Sequence, residues 1–176
     1  ARQSGLAEAD VGFVQDWLKL EINADGSAQN RAGVRVGPIS TGEDFARECP
    51  RYVGMMKTLA SEGWVPNQNL DCVPFDYRYP PGETGFSEDL QNLIGRRVAG
   101  ANGTKVTIAC HSQGCLLVYH FLRTQDPAWV DQHVGLFFSL AGQFSGCSDC
   151  LRWAFQKQWS WDSNNELVSP SDMTWV

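Results

Sequence analysis

The sequence has 176 residues, a formal net charge of −6 and a hydrophobic content of 43%, enough apolar material for one ordinary domain or for part of a larger one. Its 14 lysine and arginine residues are scattered along the chain, which argues against a nucleic acid as partner. No run of about 18 apolar residues is present, so the sequence predicts no membrane-spanning helix.

The first predicted element is a helix over residues 52–60, where apolar residues recur at helical spacing and Gly63 suits the end. The short apolar run at residues 70–75 predicts a buried strand. After a turn-rich loop, residues 86–99 have the pattern of a second helix, with Ser87 as its N-cap.

The second half of the sequence alternates strand and helix patterns. A strand is predicted at residues 105–109, a helix at 113–123, and a further strand at 134–140, which is apolar throughout and therefore expected to be buried. Strands that alternate with helices pair in parallel. The sequence thus predicts an α/β fold with a parallel sheet and flanking helices.

Three regions are expected along the chain. Residues 1–45 form a peripheral, cap-like or lid-like segment, residues 46–146 carry the central α/β core, and residues 147–176 begin another cap-like or lid-like excursion. The seven tryptophans lie mostly at the two ends of the chain. They either fill a peripheral layer or form a surface that touches lipid.

Six cysteines favour an oxidising compartment. We expect Cys49 and Cys72 to bridge the first helix to the first strand, and Cys115 to be a buried free thiol near the candidate site. Cys147 and Cys150 have the spacing of a zinc half-site or a redox pair, but no second Cys/His pair follows at zinc-finger spacing. A local disulfide, or two bridges to elsewhere, is therefore favoured over a metal, and no metal or cofactor is predicted.

Asn102, Gly103 and Thr104 form an N-glycosylation acceptor in a turn-like setting before a strand. The alternative is an ordinary Asn-Gly turn. With the cysteines, this motif predicts a location outside the cell, or in the lumen of the endomembrane system or the lysosome.

The stretch KVTIACHSQGCLLVYHFL, at residues 105–122, runs from a strand into a helix through Ser112. Such a junction suits a nucleophile elbow, where a strained turn exposes the serine hydroxyl and its neighbours must be small. Gly114 meets that need, and Cys110 stands where glycine is most common. The N–H of Gln113 would then begin the helix and donate to a developing oxyanion. The alternative is a serine N-cap at an ordinary strand–helix junction.

None of the three histidines suits the role of general base for this serine. His133 lies between the helix and the next strand, and His120 lies two turns along the helix. His111 is next to the serine but faces the wrong way, and we expect it to shape the neighbouring pocket.

Three stretches in order, VPFDYRYPPG, VTIACHSQGCLLVYHFLRTQDPAWVDQHV and GLFFSLAGQFSG, resemble the lecithin:cholesterol acyltransferase and lysosomal phospholipase family of the α/β-hydrolase superfamily. The resemblance covers about residues 50–146. It implies that Ser112 is the acyl-accepting nucleophile and the Gln113 amide an oxyanion donor. Asp76 and Arg78 match a family landmark and are expected to order a loop that borders the pocket.

This sequence departs from the family pattern at two places near the serine. Gln113 replaces a hydrophobic residue, and residues 141–146 replace a proline-tryptophan loop. The resemblance also implies that the family's glycine-rich loop would precede Ala1 and that its catalytic aspartate and histidine would follow Val176. We therefore expect an internal fragment with a partial α/β-hydrolase fold. Other segments of the same precursor would complete it and carry the acid and the base.

Two functions remain from the sequence. One is a serine lipase or acyltransferase that cleaves a phospholipid ester through an acyl-serine and passes the acyl group to water or to an alcohol such as a sterol. Its partner would be a lipid substrate or a membrane or lipoprotein surface. The alternative is a catalytically inactive protein of the same fold with a structural or lipid-binding role.

Overall fold

The computed structural model describes residues 19–34, 49 and 52–148, together with the backbone of residues 159–160 and 167–168. The chain divides into two compact units. One comprises Val36–Phe144, and the other comprises Ala1–Arg35 with Ser145–Val176. No helix in these described ranges is long and apolar enough to cross a bilayer.

The smaller unit contains two short antiparallel pairs. Strands β1 (Leu20–Ile22) and β2 (Ala28–Asn30) form a hairpin. Its turn is closed by the Asp25 carboxylate, which accepts from the N–H of Ser27 at 2.9 Å. Two further strands, numbered β5 (Trp159–Ser160) and β6 (Leu167–Val168) in chain order, also pair antiparallel.

The larger unit carries the predicted strand–helix alternation. Its described elements, in chain order, are α1 (Val53–Ser61), α2 (Phe86–Gly100), β3 (Val106–His111), α3 (Gly114–Thr124), α4 (Pro127–His133) and β4 (Val134–Leu140). The helices predicted at 52–60 and 113–123 and the strand at 134–140 are confirmed within one or two residues.

Strands β3 and β4 pair in parallel, as the alternation of strands and helices predicted. Helices α2 and α3 pack on one face of this pair and build the core with it. The buried residues of that core are Phe86, Leu90, Ile94, Val98, Cys110, Cys115, Leu117, Val118 and Phe121. Burial of this apolar surface is the main force that holds α3 against the sheet, and it therefore also fixes the position where α3 begins.

The opposite face of the strand pair is exposed. Leu136 and Phe138 on β4 are 54% and 51% exposed, and their register partners on β3 are Thr107 and Ala109. The prediction that β4 is buried on both faces is therefore wrong for the described chain. The physical reason is that α2 and α3 both lie on the other side, facing Ile108 and Phe137.

The strand predicted at residues 70–75 does not form within the described residues. Only Leu70 makes a bridge, to Pro66, and the segment runs on without a ladder. Arg97 on α2 anchors it instead. The guanidinium donates to both carboxylate oxygens of Asp71, at 2.7 and 2.8 Å, and to the carbonyl of Asn67 at 2.7 Å.

The predicted N-cap Ser87 is also wrong, because α2 begins one residue earlier, at Phe86. The N–H of Phe86 donates to the hydroxyl of Thr84 at 3.3 Å, which satisfies one of the free donors at the start of the helix. In contrast, Asp126 caps α4 by accepting from the next helical amides.

Candidate active site

Ser112 lies at the sharp turn between β3 and α3. The strand ends at His111 and the helix begins at Gly114, so two residues make the whole turn. Ser112 has a φ of +52°, in the left-handed region that a side chain disfavours because Cβ approaches the next carbonyl. A strand, a strained serine and a helix in this order form the geometry of a nucleophile elbow.

The alternative role of Ser112 as the helix N-cap is wrong. The capping residue of α3 is Gln113, and no side chain caps that helix by a hydrogen bond. The Ser112 N–H donates instead to the carbonyl of Leu140 at the end of β4, at 2.9 Å. The serine hydroxyl is therefore not used to stabilise the helix end.

Gly114 is needed because the elbow packs closely on a neighbouring aromatic ring. A Cβ at this position would lie 3.1 Å from Cε1 of Phe75, tighter than ordinary carbon–carbon contact. The small residue that the elbow pattern requires after the serine thus has a steric cause in this structure.

The backbone N–H of Gln113 is a free donor beside the serine. No described residue accepts a hydrogen bond from it. It stands at the start of α3, where the helix dipole adds partial positive charge. This amide can therefore donate to an oxyanion that forms next to Ser112.

A disulfide between Cys110 and Cys115 spans the elbow, with 5.0 Å between the two Cα atoms. The expectation that Cys115 is a free thiol is therefore wrong. Cys110 ends the buried face of β3 and Cys115 lies in the first turn of α3, and the elbow folds these two positions together. Both are buried, with Cys115 fully inaccessible, so the bond joins the two elements that hold Ser112.

Asp76 and Arg78 form an ion pair that orders the loop beside the elbow. The guanidinium contacts both carboxylate oxygens, at 2.8 and 2.5 Å, and the Arg78 N–H donates to Asp76 as well. Burial disfavours the ionised form of Asp76, but the hydrogen bonds from Arg78 and its charge outweigh burial and lower the pKa of Asp76 below its ordinary value of 3.8.

The structure brings none of the three histidines to the serine hydroxyl within the described residues. The ring of His111 is edge-on to Tyr52, with centroids 6.0 Å apart. His120 packs on the loop before α2, where a Cβ at Gly82 would lie 2.9 Å from its Cε1. His133 stacks on Trp129 at 4.3 Å, just before β4 begins and so at the opposite end of the sheet.

The loop after β4 is shaped by Gly142. A Cβ there would lie 2.4 Å from the hydroxyl oxygen of Ser139 and 2.6 Å from the ring of Phe144, so any larger residue would displace these two side chains. The Phe144 ring meets Tyr119 of α3 edge-on at 5.6 Å. This segment, which departs from the family pattern, is thus packed against the helix that follows the elbow.

The remaining predicted residues are the other four cysteines and Asn102. Cys49 and Cys72 form the disulfide that the sequence suggested. Cys147 is disulfide-bonded, and Cys150 lies outside the described residues. Asn102 is exposed in the turn after α2, near the start of β3. The six residues of that strand place it about 20 Å from the elbow.

Two features near the serine were missed in the sequence. The Cys110–Cys115 pair had a signal, because the two cysteines flank an elbow that returns the chain on itself. The side chain of Gln113 donates to the carbonyl of Tyr77 at 3.0 Å. The two positions are 36 apart in the sequence, so no local pattern reveals the contact.

A family model described as lecithin:cholesterol acyltransferase matches residues 44–156 of this chain. The lysosomal phospholipase A and acyltransferase of Rattus norvegicus is 31% identical over 68% of this chain and 31% of its own length. The phosphatidylcholine-sterol acyltransferase of Homo sapiens is 28% identical over 70% of this chain and 30% of its own length. The lecithin-cholesterol acyltransferase-like 1 protein of Arabidopsis thaliana is 30% identical over 52% of this chain and 23% of its own length. This chain therefore spans a third or less of the length of these curated relatives.

Proposed function

We propose that Ser112 is the nucleophile of a lipid acyltransferase or phospholipase, since this chain belongs to the lecithin:cholesterol acyltransferase family. The observation that carries the proposal is the left-handed backbone of Ser112, at φ +52°, in a two-residue turn between strand and helix. A strained serine that neither caps the helix nor is replaced by glycine is expected where its hydroxyl has a chemical role.

The reaction follows from the groups around the serine. The Ser112 oxygen attacks the carbonyl carbon of a lipid ester, and the carbonyl oxygen becomes an oxyanion that accepts from the Gln113 N–H. The tetrahedral intermediate then collapses: the ester bond breaks, and the alcohol leaves with the proton that a base took from the Ser112 hydroxyl. Water or a second alcohol then attacks the acyl-serine, which restores the hydroxyl and releases a fatty acid or a new ester.

The hydroxyl requires a base, because an unactivated serine is a weak nucleophile. His111, His120 and His133 make their contacts with other residues, as described above. We propose that a histidine and an aspartate from a segment outside the described residues approach the carboxyl edge of β3. The second oxyanion donor would come from the same source.

The substrate class is supported by the printed names of the relatives, which are acyltransferases and phospholipases. We propose a phospholipid as acyl donor and water or a sterol-like alcohol as acceptor, at a membrane or lipoprotein surface. Tyr77, whose backbone carbonyl accepts from the Gln113 side chain, is 53% exposed and offers an aromatic side chain to such a lipid.

The proposed location is outside the cell, or the lumen of the endomembrane system or the lysosome. It is supported by the Cys49–Cys72 and Cys110–Cys115 disulfides, because reducing compartments disfavour such bonds. The word lysosomal in the name of one relative agrees with it.

The test is covalent labelling of the native protein with a fluorophosphonate, followed by mass mapping of the modified peptide. The unmodified protein is expected to carry the label on Ser112, and S112A to carry none. S61A is the matched control, since Ser61 is an exposed serine at the end of α1, and it should label like the unmodified protein. If the native protein stays unlabelled while a control lipase reacts, Ser112 is not a nucleophile and the inactive, lipid-binding alternative stands.

A further inference from the structure

The side chain of Gln113 reaches across to the loop that follows residue 75. Its amide nitrogen donates to the carbonyl oxygen of Tyr77 at 3.0 Å. The hydrophobic residue that the family pattern places after the serine has no donor for this bond. The contact is therefore particular to the glutamine of this chain.

The accepting carbonyl belongs to a turn that is closed by a hydrogen bond and an ion pair. The Asp76 carbonyl accepts from the N–H of Tyr79 at 3.4 Å, and the Asp76–Arg78 ion pair closes the same turn with side chains 11% and 6% exposed. Phe75, just before it, lies against the elbow at Gly114. The loop thus meets the elbow at two points, one apolar and one a hydrogen bond.

We infer that Gln113 is a positioning residue that joins the loop of residues 76–79 to the nucleophile elbow and so fixes one wall of the acyl site. This inference rests on the proposed function. Its backbone N–H is the proposed oxyanion donor, and its side chain is held by the Tyr77 carbonyl. Loss of the bond frees both the side chain and the loop, and small displacements of such groups cost catalytic rate.

The effect is tested in the native protein with Q113M, which keeps the length of the side chain and removes the donor. The control is Q91M, the same change at a partly buried glutamine on α2. Q113M is expected to lower the rate of fluorophosphonate labelling, and kcat on a soluble short-chain ester, by roughly five- to ten-fold, the value of one hydrogen bond. KM should change less than two-fold, and hydrogen exchange in the peptide of residues 75–82 should become faster. Q91M should change none of these.

A second variant separates positioning from a merely structural role. In Q113E the carboxyl group donates to the Tyr77 carbonyl only when it is protonated, and it repels that carbonyl when ionised. The ratio of the Q113E labelling rate to the unmodified rate, measured at the same pH, should therefore rise as pH falls from about 7 to about 4, through the ordinary range of a glutamate.

The outcomes are distinct. If S112A abolishes labelling but Q113M labels and exchanges like the unmodified protein, the inference about Gln113 is overturned and the function stands. A Q113E ratio that is flat with pH overturns it in the same way. If the unmodified protein does not label at all, both the function and the inference fall.

Discussion

Because the backbone of Ser112 is left-handed, we expect glycine at this position to give a more stable protein than alanine. In the left-handed region a Cβ costs about 1–2 kcal/mol, and S112G removes that cost whereas S112A keeps it. Glycine carries an opposing cost of about 0.5–1 kcal/mol from the greater freedom of the unfolded chain. We therefore expect S112G to be about 0.5–1 kcal/mol more stable than S112A, although neither has a nucleophile.

The matched comparison is at Ser139, which lies in regular backbone within β4. There S139G should be about 1 kcal/mol less stable than S139A, because only the cost of glycine remains. The difference between the two glycine-to-alanine comparisons isolates a backbone cost of about 1–2 kcal/mol at Ser112.

The measurement is urea unfolding of the four variants, with the slope of the unfolding free energy compared as a check on two-state behaviour. Using glycine and alanine at each site cancels the loss of the serine hydroxyl. If glycine destabilises Ser112 as much as Ser139, the turn is not strained, and the main argument for a nucleophile elbow fails.

Three further predictions concern the pH dependence of stability, the core and a modification. The pKa of Asp76 is lowered in the folded protein, so the ionised carboxylate stabilises the fold fully at pH values above its ordinary pKa. That stabilisation is lost as the pH falls through the folded-state pKa. Urea unfolding measured from pH 7 to pH 2 should therefore show a smaller loss of unfolding free energy at acidic pH for D76N than for the unmodified protein. F121A should cost about 3–5 kcal/mol of unfolding free energy, because Phe121 is fully buried. Y119A on the same helix, where Tyr119 is 45% exposed, should cost far less, and equal losses in thermal unfolding would contradict the described core. Material from a secretory host should lose mass on glycosidase treatment and N102Q should not, and an unchanged mass for the unmodified protein would leave Asn102 as an ordinary turn residue.

Much of the elbow was predictable because its determinants are local. A β-branched run predicts a strand, apolar residues at helical spacing predict a helix, and small residues around the serine predict a tight junction. The structure shows this junction within one or two residues of the predicted bounds. The family resemblance, which rested on several ordered motifs, is confirmed by the matching family model.

Two of the errors have a different cause. The strand at residues 70–75 and the two-sided burial of β4 were predicted from apolar composition alone. A strand forms only when a neighbour supplies a hydrogen-bonding ladder, and a face is buried only when an element covers it. Both conditions depend on other parts of the chain, so the residues of the segment alone do not reveal them.

By itself, the sequence determined the local parts of the elbow, which are a strand, a serine with small neighbours and a helix, because each depends on residue type and spacing. Only the tertiary structure decided how that elbow is held. It paired Cys110 with Cys115 across the turn, and it brought the Tyr77 carbonyl to the side chain of Gln113. Periodicity records which side of an element faces the core, but contacts between distant segments arise only when those segments pack together.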